Sequence, residues 1–396
     1  MSEVVELEPT AMAAGGSALA RHADGRVVFV DGALPGERVR ARLTDVRRDF
    51  ARAVTLDVVE PSPDRVAPPC PALAAGCGGC TWQHVSPAAQ VRLKGEVVVD
   101  ALRRIARVAD PPVPHPVSTA GRPLRTTARL AVSADGRAGH RPRRGTGAVE
   151  TDACLAAHPL LEELVVAGRY PGASDALLRV SVATGERLVQ VDRGWQRARV
   201  PAGVTVVDKR RARDAFVHET VAGRRFRISA ASFFQPGPVA AEALAVAVAA
   251  AVGDALDEGD LLVDAYAGVG LFGSVVGAHR RARVVAVEND AAAVADARAN
   301  LADLDAQVVA SQVGRWPARP ASVVVADPSR TGLGRPGVTA LAASGAPRLV
   351  LVSCDPASMA RDAALLAESG YRLASVALVD AFPHTFHVET VSRFDR

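Results

Sequence analysis

Apolar, strand-like segments alternate with helix-like segments from residue 236 to residue 396, and this alternation restricts the fold more than any other feature of the chain. Seven segments have the composition of buried strands: LLVDAY, VVAVE, AQVVAS, SVVVAD, RLVLVSC, LASVALVD and HVETVSRF. Strands that are apolar along their whole length and separated by helices form parallel sheets covered on both faces. Residues 236–396 are therefore predicted to form a Rossmann-like α/β domain.

The first 235 residues have a different pattern and divide into two further predicted domains, which makes the chain a multidomain protein with β and α/β parts. Residues 1–62 contain short strands separated by turn residues and are predicted to form a small OB-like β-barrel. Its second strand carries one basic face, which either binds single-stranded or looped RNA or is simply solvated: Arg38, Arg40 and Arg42. Residues 63–235 begin with a proline-rich segment and are predicted to form a central α/β domain. Arginine clusters in this domain, such as HRPRRG, are of the kind that follows a phosphate backbone, although a single cluster is more often solvated surface.

The charge and hydropathy of the chain indicate whether it binds nucleic acid or a membrane. The formal net charge of +4 on 396 residues permits binding to nucleic acid without demonstrating it. Of 47 basic residues, only Lys94 and Lys209 are lysines. The longest apolar run, AEALAVAVAAAVGDAL, is short and contains acidic residues, which is typical of a packed helix and not of a membrane span. With no signal-peptide pattern at the start, we expect a cytoplasmic monomer without a membrane partner.

The cysteines are few and clustered. Three of the five follow a C-x6-C-x2-C pattern with Gly78 and Gly79 between the last two, and the others stand apart: Cys70, Cys77, Cys80, Cys154 and Cys354. An odd number of cysteines in a reducing compartment argues against a framework of disulfides. Four thiolates suit either zinc or an iron–sulfur cluster, and the wide first gap favours the cluster. If Cys154 is the fourth ligand, Cys354 remains alone at the end of a predicted strand.

A glycine-rich turn follows the first strand of the C-terminal domain in the segment VDAYAGVGLFG, which begins its glycine series at Gly268. Such a turn between strand and helix allows a cofactor to approach the backbone. Glu288 ends the next strand, in VVAVEND, where a carboxylate can accept hydrogen bonds from both hydroxyls of a ribose. A dinucleotide is formally compatible with the glycine spacing, but the D-x-Y-x-G beginning and the preceding helix favour S-adenosylmethionine (SAM).

Taken together, these motifs resemble those of the RNA (uracil-5-)-methyltransferases. This family methylates 23S ribosomal RNA and, in a sister branch, the T-loop of tRNA. The matching segments occur in the family's order over residues 65–396: CPALAAGCGGCTWQHV, SFFQPG, DAYAGVGLFG, VVAVEND, VVVADPSRTGLG, LVSCDP and FPHTFHVETV. The N-terminal barrel is similar to the TRAM domain of the ribosomal branch.

The resemblance implies a chemistry and a set of residues. Cys354 is expected to add to carbon 6 of a flipped-out uracil, Glu389 to remove the proton from carbon 5, and Asp327 to hold the pyrimidine edge. The residues expected at SAM are Gln235, Tyr266, Gly268, Leu271, Glu288 and Asp327. The ligands expected for a [4Fe–4S] cluster are Cys70, Cys77, Cys80 and Cys154. Further candidates, for stacking, phosphate contact or orientation, are Phe233 or Phe234, Arg330, His384 and His387.

The chain also departs from the family pattern, and other functions remain open. Ser329 stands where the family usually has proline, and Asp355 replaces an asparagine next to Cys354, where its charge is expected to oppose thiolate formation. The substrate is most simply 23S rRNA, with tRNA as the alternative. Methyl transfer to cytosine or to a protein is a second alternative. A non-catalytic RNA-binding iron–sulfur protein on the same fold is a third.

Overall fold

The computed structural model describes residues 3–119, 121–122 and 124–396. The N-terminal part is a six-stranded sheet formed by β1 (Val4–Leu7), β2 (Ala11–Met12), β3 (Ala18–Arg21), β4 (Val27–Asp31), β5 (Arg38–Val46) and β6 (Phe50–Glu60). The strand order is β1-β5-β6-β4-β3-β2, so the two edge strands follow each other directly in the chain. The two edges of the sheet are therefore close together, and the sheet curls around an apolar core that it shares with later residues, among them Trp82 and Leu93.

The middle of the chain begins with an irregular segment that contains three cysteines. The elements that follow are α1 (Pro87–Arg104), β7 (His115–Val117), β8 (Thr127–Val132), β9 (Ala138–Gly139), α2 (Pro159–Val166), β10 (Asp175–Val180), β11 (Arg187–Val191), β12 (Val204–Asp208), β13 (Phe216–Val221) and β14 (Arg224–Ser229). Five of these strands form a sheet in the order β12-β11-β10-β8-β9, which packs on α2, and β13 and β14 form a separate hairpin.

The C-terminal part alternates helices and strands. Its elements are α3 (Pro238–Val252), β15 (Leu261–Ala265), α4 (Leu271–Arg280), β16 (Arg283–Glu288), α5 (Ala291–Asn300), β17 (Ala306–Ala310), β18 (Val323–Ala326), α6 (Gly334–Ala342), β19 (Arg348–Ser353), α7 (Pro356–Glu368), β20 (Arg372–Val379) and β21 (Glu389–Asp395). Single-turn 3₁₀ helices occur over Pro71–Leu73, Trp195–Arg197 and Val313–Arg315. The seven segments predicted as strands correspond to β15 to β21, with ends that agree to within two residues. Within the described residues, no helix combines the length and the apolar character needed to cross a membrane.

The C-terminal strands join β7 in an eight-stranded sheet with the order β17-β16-β15-β18-β19-β21-β20-β7. The prediction of a purely parallel sheet is wrong at one strand, because β21 lies between β19 and β20 and runs antiparallel to both. The reason is the connection from β20 to β21, which consists of residues 380–388 without a helix. A parallel strand needs a longer crossover, whereas a short connection reverses the direction of the chain.

The eight-stranded sheet also takes up elements from before residue 236. Strand β7 pairs parallel to β20, with His115 opposite Ala377. Helix α1 contributes Val98 and Leu102 to the same apolar core as Val263 of β15. The expected domain limit at residue 236 therefore does not coincide with the limits of this sheet, because a helix and a strand from the middle of the chain complete it.

Candidate active site

Three of the predicted site residues lie together at one edge of the eight-stranded sheet. Asp327 follows β18 and Cys354 follows β19, at the carboxyl ends of neighbouring strands. Glu389 is the first residue of β21, and the next residue, Thr390, is opposite Ser353. Because β21 is antiparallel, its first residue lies at the same edge as the carboxyl ends of the parallel strands. The reversed strand thus brings the carboxylate of Glu389 to the thiol of Cys354.

Burial shifts the protonation of all three groups. Burial, together with the charge of Asp327, raises the pKa of Glu389, which is 7% exposed, to about 8. Burial likewise raises the pKa of Asp327 to about 7. Burial and the charges of Glu389 and Asp327 raise the pKa of the Cys354 thiol to about 11. The thiol is therefore protonated at neutral pH, while the two carboxyl groups titrate near neutrality, as residues that transfer protons often do.

Two cations lower the pKa of Glu389 and so oppose the effect of its burial. Arg330, in the loop after β18, lowers the pKa of both Cys354 and Glu389. Its Nη2 donates a hydrogen bond to Nδ1 of His387 at 3.3 Å, and burial together with Arg330 lowers the pKa of His387 to about 4. The second cation, the ammonium of Lys94 on α1, also lowers the pKa of Glu389. Both cations favour the ionised form of the carboxylate.

A small cavity of about 40 Å³ adjoins Cys354. Its walls come from the loops at the sheet edge, from α1 and from the turn between β2 and β3, and include Gly15, Trp82, Lys94, Arg330 and Phe386. The turn is held by the indole Nε1 of Trp82, which donates to the carbonyl of Gly16 at 3.0 Å. Gly16 has a φ of 84°, and a first side-chain carbon there would be 2.6 Å from Phe386. The N-terminal sheet is therefore part of the wall of the Cys354 cavity.

A larger cleft, of about 290 Å³, lies on the other side of the loop that follows Asp327. Tyr266 and Glu288 line this cleft, together with Asn289, Ser311 and Gln312. Within the separating loop, Arg330 faces the Cys354 cavity, whereas Ser329 and Thr331 face the cleft. The sheet edge thus has two separate spaces, with the loop residues between them.

The glycine-rich turn at this cleft has the backbone geometry that its sequence predicts. Gly268 and the non-glycine residue Tyr266 adopt positive φ angles of 55° and 60°. The amide of Gly268 donates to Oε2 of Glu288 at 2.9 Å, which joins the turn to the end of β16. A side chain at Gly273 would place its first carbon 2.8 Å from Oδ2 of Asp264, so α4 can approach β15 only at a glycine.

Asp264 is an unusual group beneath this turn. It is fully buried, its Oδ2 accepts a hydrogen bond from the amide of Gly273 at 2.7 Å, and its Oδ1 has no partner among the described residues. Burial raises the pKa of Asp264 to about 8. With this pKa the carboxyl is mostly protonated at neutral pH, which avoids the cost of burying a charge without a partner.

The segment SFFQ reaches the same edge of the sheet. Nε2 of Gln235 donates to Oδ2 of Asp327 at 3.4 Å. Phe233 is 70% exposed, whereas Phe234 is buried in the core against Phe226, so only Phe233 is free to stack on a ligand ring. Leu271, which was expected at the cofactor, begins α4 with its side chain in the core, so a ligand can meet only its backbone.

The two residues that depart from the family pattern, Ser329 and Asp355, make local hydrogen bonds. Oδ1 of Asp355 accepts a hydrogen bond from the amide of Ser358 at 2.8 Å and caps the start of α7. The expectation that Asp355 raises the pKa of the thiol is not supported, because the charges that do so are those of Glu389 and Asp327. Ser329 bonds to the hydroxyl of Thr331 at 3.0 Å.

Four cysteines line another, separate cavity: Cys70, Cys77, Cys80 and Cys154. All are free thiols, and burial raises the pKa of three of them, with the neighbouring sulfurs adding to the shift: Cys77, Cys80 and Cys154. Among the described residues, no three potential ligands are close enough to hold a single metal ion. Four thiols are the donor set of either zinc or an iron–sulfur cluster.

The loop between Cys77 and Cys80 packs on the hairpin over residues 140–143. The amide of Gly78 donates to the carbonyl of Arg141 at 3.0 Å. A first side-chain carbon on Gly78 would be 2.6 Å from that carbonyl oxygen, and one on Gly79 would be 2.8 Å from the ring of His140. The glycine pair is therefore required for the contact that brings the cysteine loop to the hairpin.

The arginine cluster HRPRRG does not present a free basic surface. Arg143 and Arg144 pair with the two carboxylate oxygens of Asp31 at 3.0 and 2.9 Å, and Arg141 pairs with Asp175 at 2.8 Å. The cluster therefore joins the cysteine region to the N-terminal sheet. On the predicted basic strand face, Arg38 pairs with Glu60 and Arg40 with Asp57.

Sequence reasoning missed several residues of this region. Asn289 lies in VVAVEND without being singled out there, and Ser311 and Gln312 belong to no motif, although they come directly after the end of β17. Strand ends of such a sheet are where ligands bind. Lys94 was noted only as one of two lysines. Its rarity in a chain that otherwise uses arginine was the one available signal that this position has a special requirement.

Comparison with known proteins agrees with this geometry. A TRAM domain model matches residues 5–56. An RNA methyltransferase of Streptomyces coelicolor is 36% identical over 433 aligned positions, which cover 99% of this chain and 93% of that protein. The 23S rRNA (uracil(1939)-C(5))-methyltransferase RlmD of Alkalilimnicola ehrlichii is 34% identical, with 100% and 97% covered. The same fold occurs in the crystal structure of the Pyrococcus abyssi tRNA (uracil-54, C5)-methyltransferase in complex with S-adenosyl-L-homocysteine. The two structures superpose with a TM-score of 0.74 and share 24% sequence identity. The match covers 98% of this chain and 100% of that one.

Proposed function

The chain belongs to the SAM-dependent RNA methyltransferases that carry a TRAM domain, and we propose that it methylates carbon 5 of a uridine, most simply in 23S rRNA. The observation that carries this proposal is the meeting of Cys354, Glu389 and Asp327 at one sheet edge, next to a separate cofactor cleft. A thiol, a base and a third polar group are what this reaction needs.

The chemistry follows from the poor nucleophilicity of carbon 5 of uracil. The thiolate of Cys354 forms a bond to carbon 6, and the electron pair of the carbon 5–carbon 6 double bond moves to the oxygen at carbon 4. Bound SAM supplies an electrophilic methyl group, which carbon 5 of this enolate accepts. Glu389 then removes the proton from carbon 5, and the bond between carbon 6 and the sulfur breaks. Asp327 accepts the N3–H of the pyrimidine and orients it toward Cys354.

The residues around the cleft fit SAM. Three backbone amides occupy part of the acceptor capacity of Glu288, which leaves room for a ribose hydroxyl. Tyr266 lines the cleft, and the polar side chains of Asn289, Ser311 and Gln312 surround its far end. Gln235 donates to Asp327 and is therefore suited to contact a reactant beside that carboxyl group.

The RNA substrate class is supported by the N-terminal sheet and by the relatives. The closed arrangement of its edges supports the OB-like barrel expected of a TRAM domain. The similarity to RlmD favours 23S rRNA, while the shared fold with a tRNA methyltransferase keeps tRNA as the second candidate. Because the thiol of Cys354 is partly buried at the end of an inner strand of the sheet, the uridine must leave its stack to reach it, and the exposed ring of Phe233 is suited to stack on a base.

The four cysteines of the middle segment are proposed to hold one [4Fe–4S] cluster. Methyl transfer needs no electrons, so the cluster serves the structure: its ligands join the loop of Cys77 and Cys80 to Cys154 across the hairpin that pairs with Asp31. Such a link closes a long segment that has a small core of its own.

Replacing Cys80 with serine is expected to remove the cluster and to reduce the yield of folded protein and the affinity for RNA, with SAM affinity nearly unchanged. The SAM cleft shares no residue with the cysteine cavity, whereas the hairpin beside Cys80 is joined to the N-terminal sheet. Anaerobically purified wild type should be brown with about four irons per chain. Cys354→Ala is the matched control and should keep its iron. Colourless wild type with stoichiometric zinc would contradict the assignment.

The proposed activity is tested with SAM labelled in its methyl group and transcripts of 23S rRNA and of tRNA. The label is expected in 5-methyluridine after digestion of the 23S transcript. Loss of one 5-methyluridine from the rRNA of a strain that lacks the protein would identify the site. Label recovered in 5-methylcytidine or in protein would refute the proposal, and label in the tRNA transcript alone would select the second candidate.

A further inference from the structure

Lys94 is the most buried cation near the reacting groups. Its side chain is 0% exposed, in a chain whose 47 basic residues include only one other lysine. Burying a lysine is costly, and its burial lowers the pKa of Lys94. A buried ammonium group therefore needs hydrogen-bond and ionic partners that offset the loss of its hydration.

Those partners lie in the segment that leads directly to Glu389. Nζ of Lys94 donates to Oδ1 of Asp380 at 2.6 Å and to the carbonyl of Phe382 at 3.1 Å. One turn earlier on α1, Oε1 of Gln90 accepts the amide of His384 at 2.6 Å. Helix α1 thus holds the connection between β20 and β21 at three points, and Glu389 follows at the end of this connection.

The ammonium also acts on the base through its charge. Lys94 lines the same cavity as Cys354, and the charges of Lys94 and Glu389 influence each other. The groups that face Glu389 are Asp327, Arg330, Cys354 and Lys94, and those that face Lys94 are Asp380, Glu389, His384 and His387. Of the two cations near Glu389, Arg330 is exposed to solvent, so the buried Lys94 is the less screened.

We infer that Lys94 is a positioning residue for the methylation reaction, which holds the segment before Glu389 in place and keeps the Glu389 carboxylate ionised until it takes the proton from carbon 5. The inference rests on the proposed function, because it assigns Lys94 a role in that proton removal. A protonated Glu389 cannot accept a proton, so the reaction is lost as the pH falls through the pKa of Glu389. A positive charge nearby lowers this pKa and extends activity to lower pH.

Lys94→Met tests the role of the charge. The two side chains have similar volumes, and Asp380 is 22% exposed, so water can solvate the carboxylate that loses its partner. The release of tritium from carbon 5 of uracil in a labelled transcript reports proton removal in a single turnover. We expect the low-pH limb of this rate to move to higher pH by on the order of one unit, with rates that converge with wild type at high pH. Lys209→Met is the matched control, because Lys209 is exposed, and its profile should equal that of wild type.

The outcomes separate the possible roles of Lys94. An unshifted profile in an active Lys94→Met enzyme, with only lower thermal stability, would overturn the inference and leave Lys94 a structural residue. If Lys94→Met does not fold, Lys94→Gln provides the same test, because its amide can still donate to Asp380 or Phe382 without the charge. A wild-type protein that releases no tritium and makes no 5-methyluridine would refute the proposed function itself, which is a different result.

Discussion

Replacing Cys354 with alanine is expected to reduce methyl transfer to RNA by on the order of 10⁴-fold or more, while SAM binds with nearly wild-type affinity. Without the thiolate no bond forms to carbon 6, and carbon 5 stays too poor a nucleophile to accept the methyl group. SAM affinity should persist because the cavity at Cys354 and the cleft at Tyr266 and Glu288 have no lining residue in common.

The measurement combines a methyl-transfer assay with calorimetric titration of SAM. Wild type and Cys354→Ala are compared on the same transcript. Near-normal methylation by the alanine variant would exclude a covalent mechanism through Cys354. Loss of SAM binding together with activity would mean that the two sites are not separate.

Replacing Glu389 with glutamine is expected to trap the RNA on the enzyme. Glutamine has nearly the same size, so Cys354 can still add to the uracil and carbon 5 can still be methylated. The amide cannot take the proton from carbon 5, so release of the product should slow by about 10²- to 10⁴-fold. The negative charge of Glu389 also raises the pKa of Cys354, and its removal should therefore favour the thiolate.

A protein–RNA species that survives denaturing electrophoresis and carries the labelled methyl group is the expected observation. Glu368→Gln is the control, since Glu368 pairs with Arg335 on the surface at 3.0 Å and should give no trapped species. Full activity of Glu389→Gln without any trapped species would assign the base to another residue, and the neighbouring carboxyl of Asp327 would then be the first to examine.

The charges around Cys354 keep its thiol protonated in the free protein. In the free protein, burial and two nearby carboxylates keep the pKa of the thiol at about 11, which protects it from oxidation and from unspecific reactions. Under the proposed mechanism, the carboxylate of Asp327 accepts the N3–H of the uracil, which offsets part of its negative charge. We therefore expect the pKa of the thiol to fall when the substrate binds.

Much of the fold could be predicted because it depends on local patterns. The apolar segments from LLVDAY to HVETVSRF became strands β15 to β21, and the glycines of the turn adopt the positive φ angles that only a residue without a side chain adopts freely. The direction of β21 could not be read from its composition, since parallel and antiparallel strands of a buried sheet have similar residues. The short connection before it decided the direction.

The arginine clusters show the limit of sequence reasoning most clearly. HRPRRG has the composition of a site that binds phosphate, yet Arg143 and Arg144 pair with Asp31, more than a hundred residues earlier in the chain. The partner of a charged residue depends on which segments the fold brings together. Composition alone therefore could not distinguish an RNA contact from an internal ion pair.

The sequence by itself determined the types of residue available for chemistry: a lone thiol at a strand end, a glutamate in HVETV, a glycine-rich turn and four clustered cysteines. Only the tertiary structure decided how these groups act on one another. It placed Glu389 beside Cys354 through the reversed strand, buried Lys94 against the segment that leads to Glu389, and put the N-terminal turn into the cavity wall. The physical reason is that charge interactions and pKa values depend on distance and burial, and neither is encoded in the separation of residues along the chain.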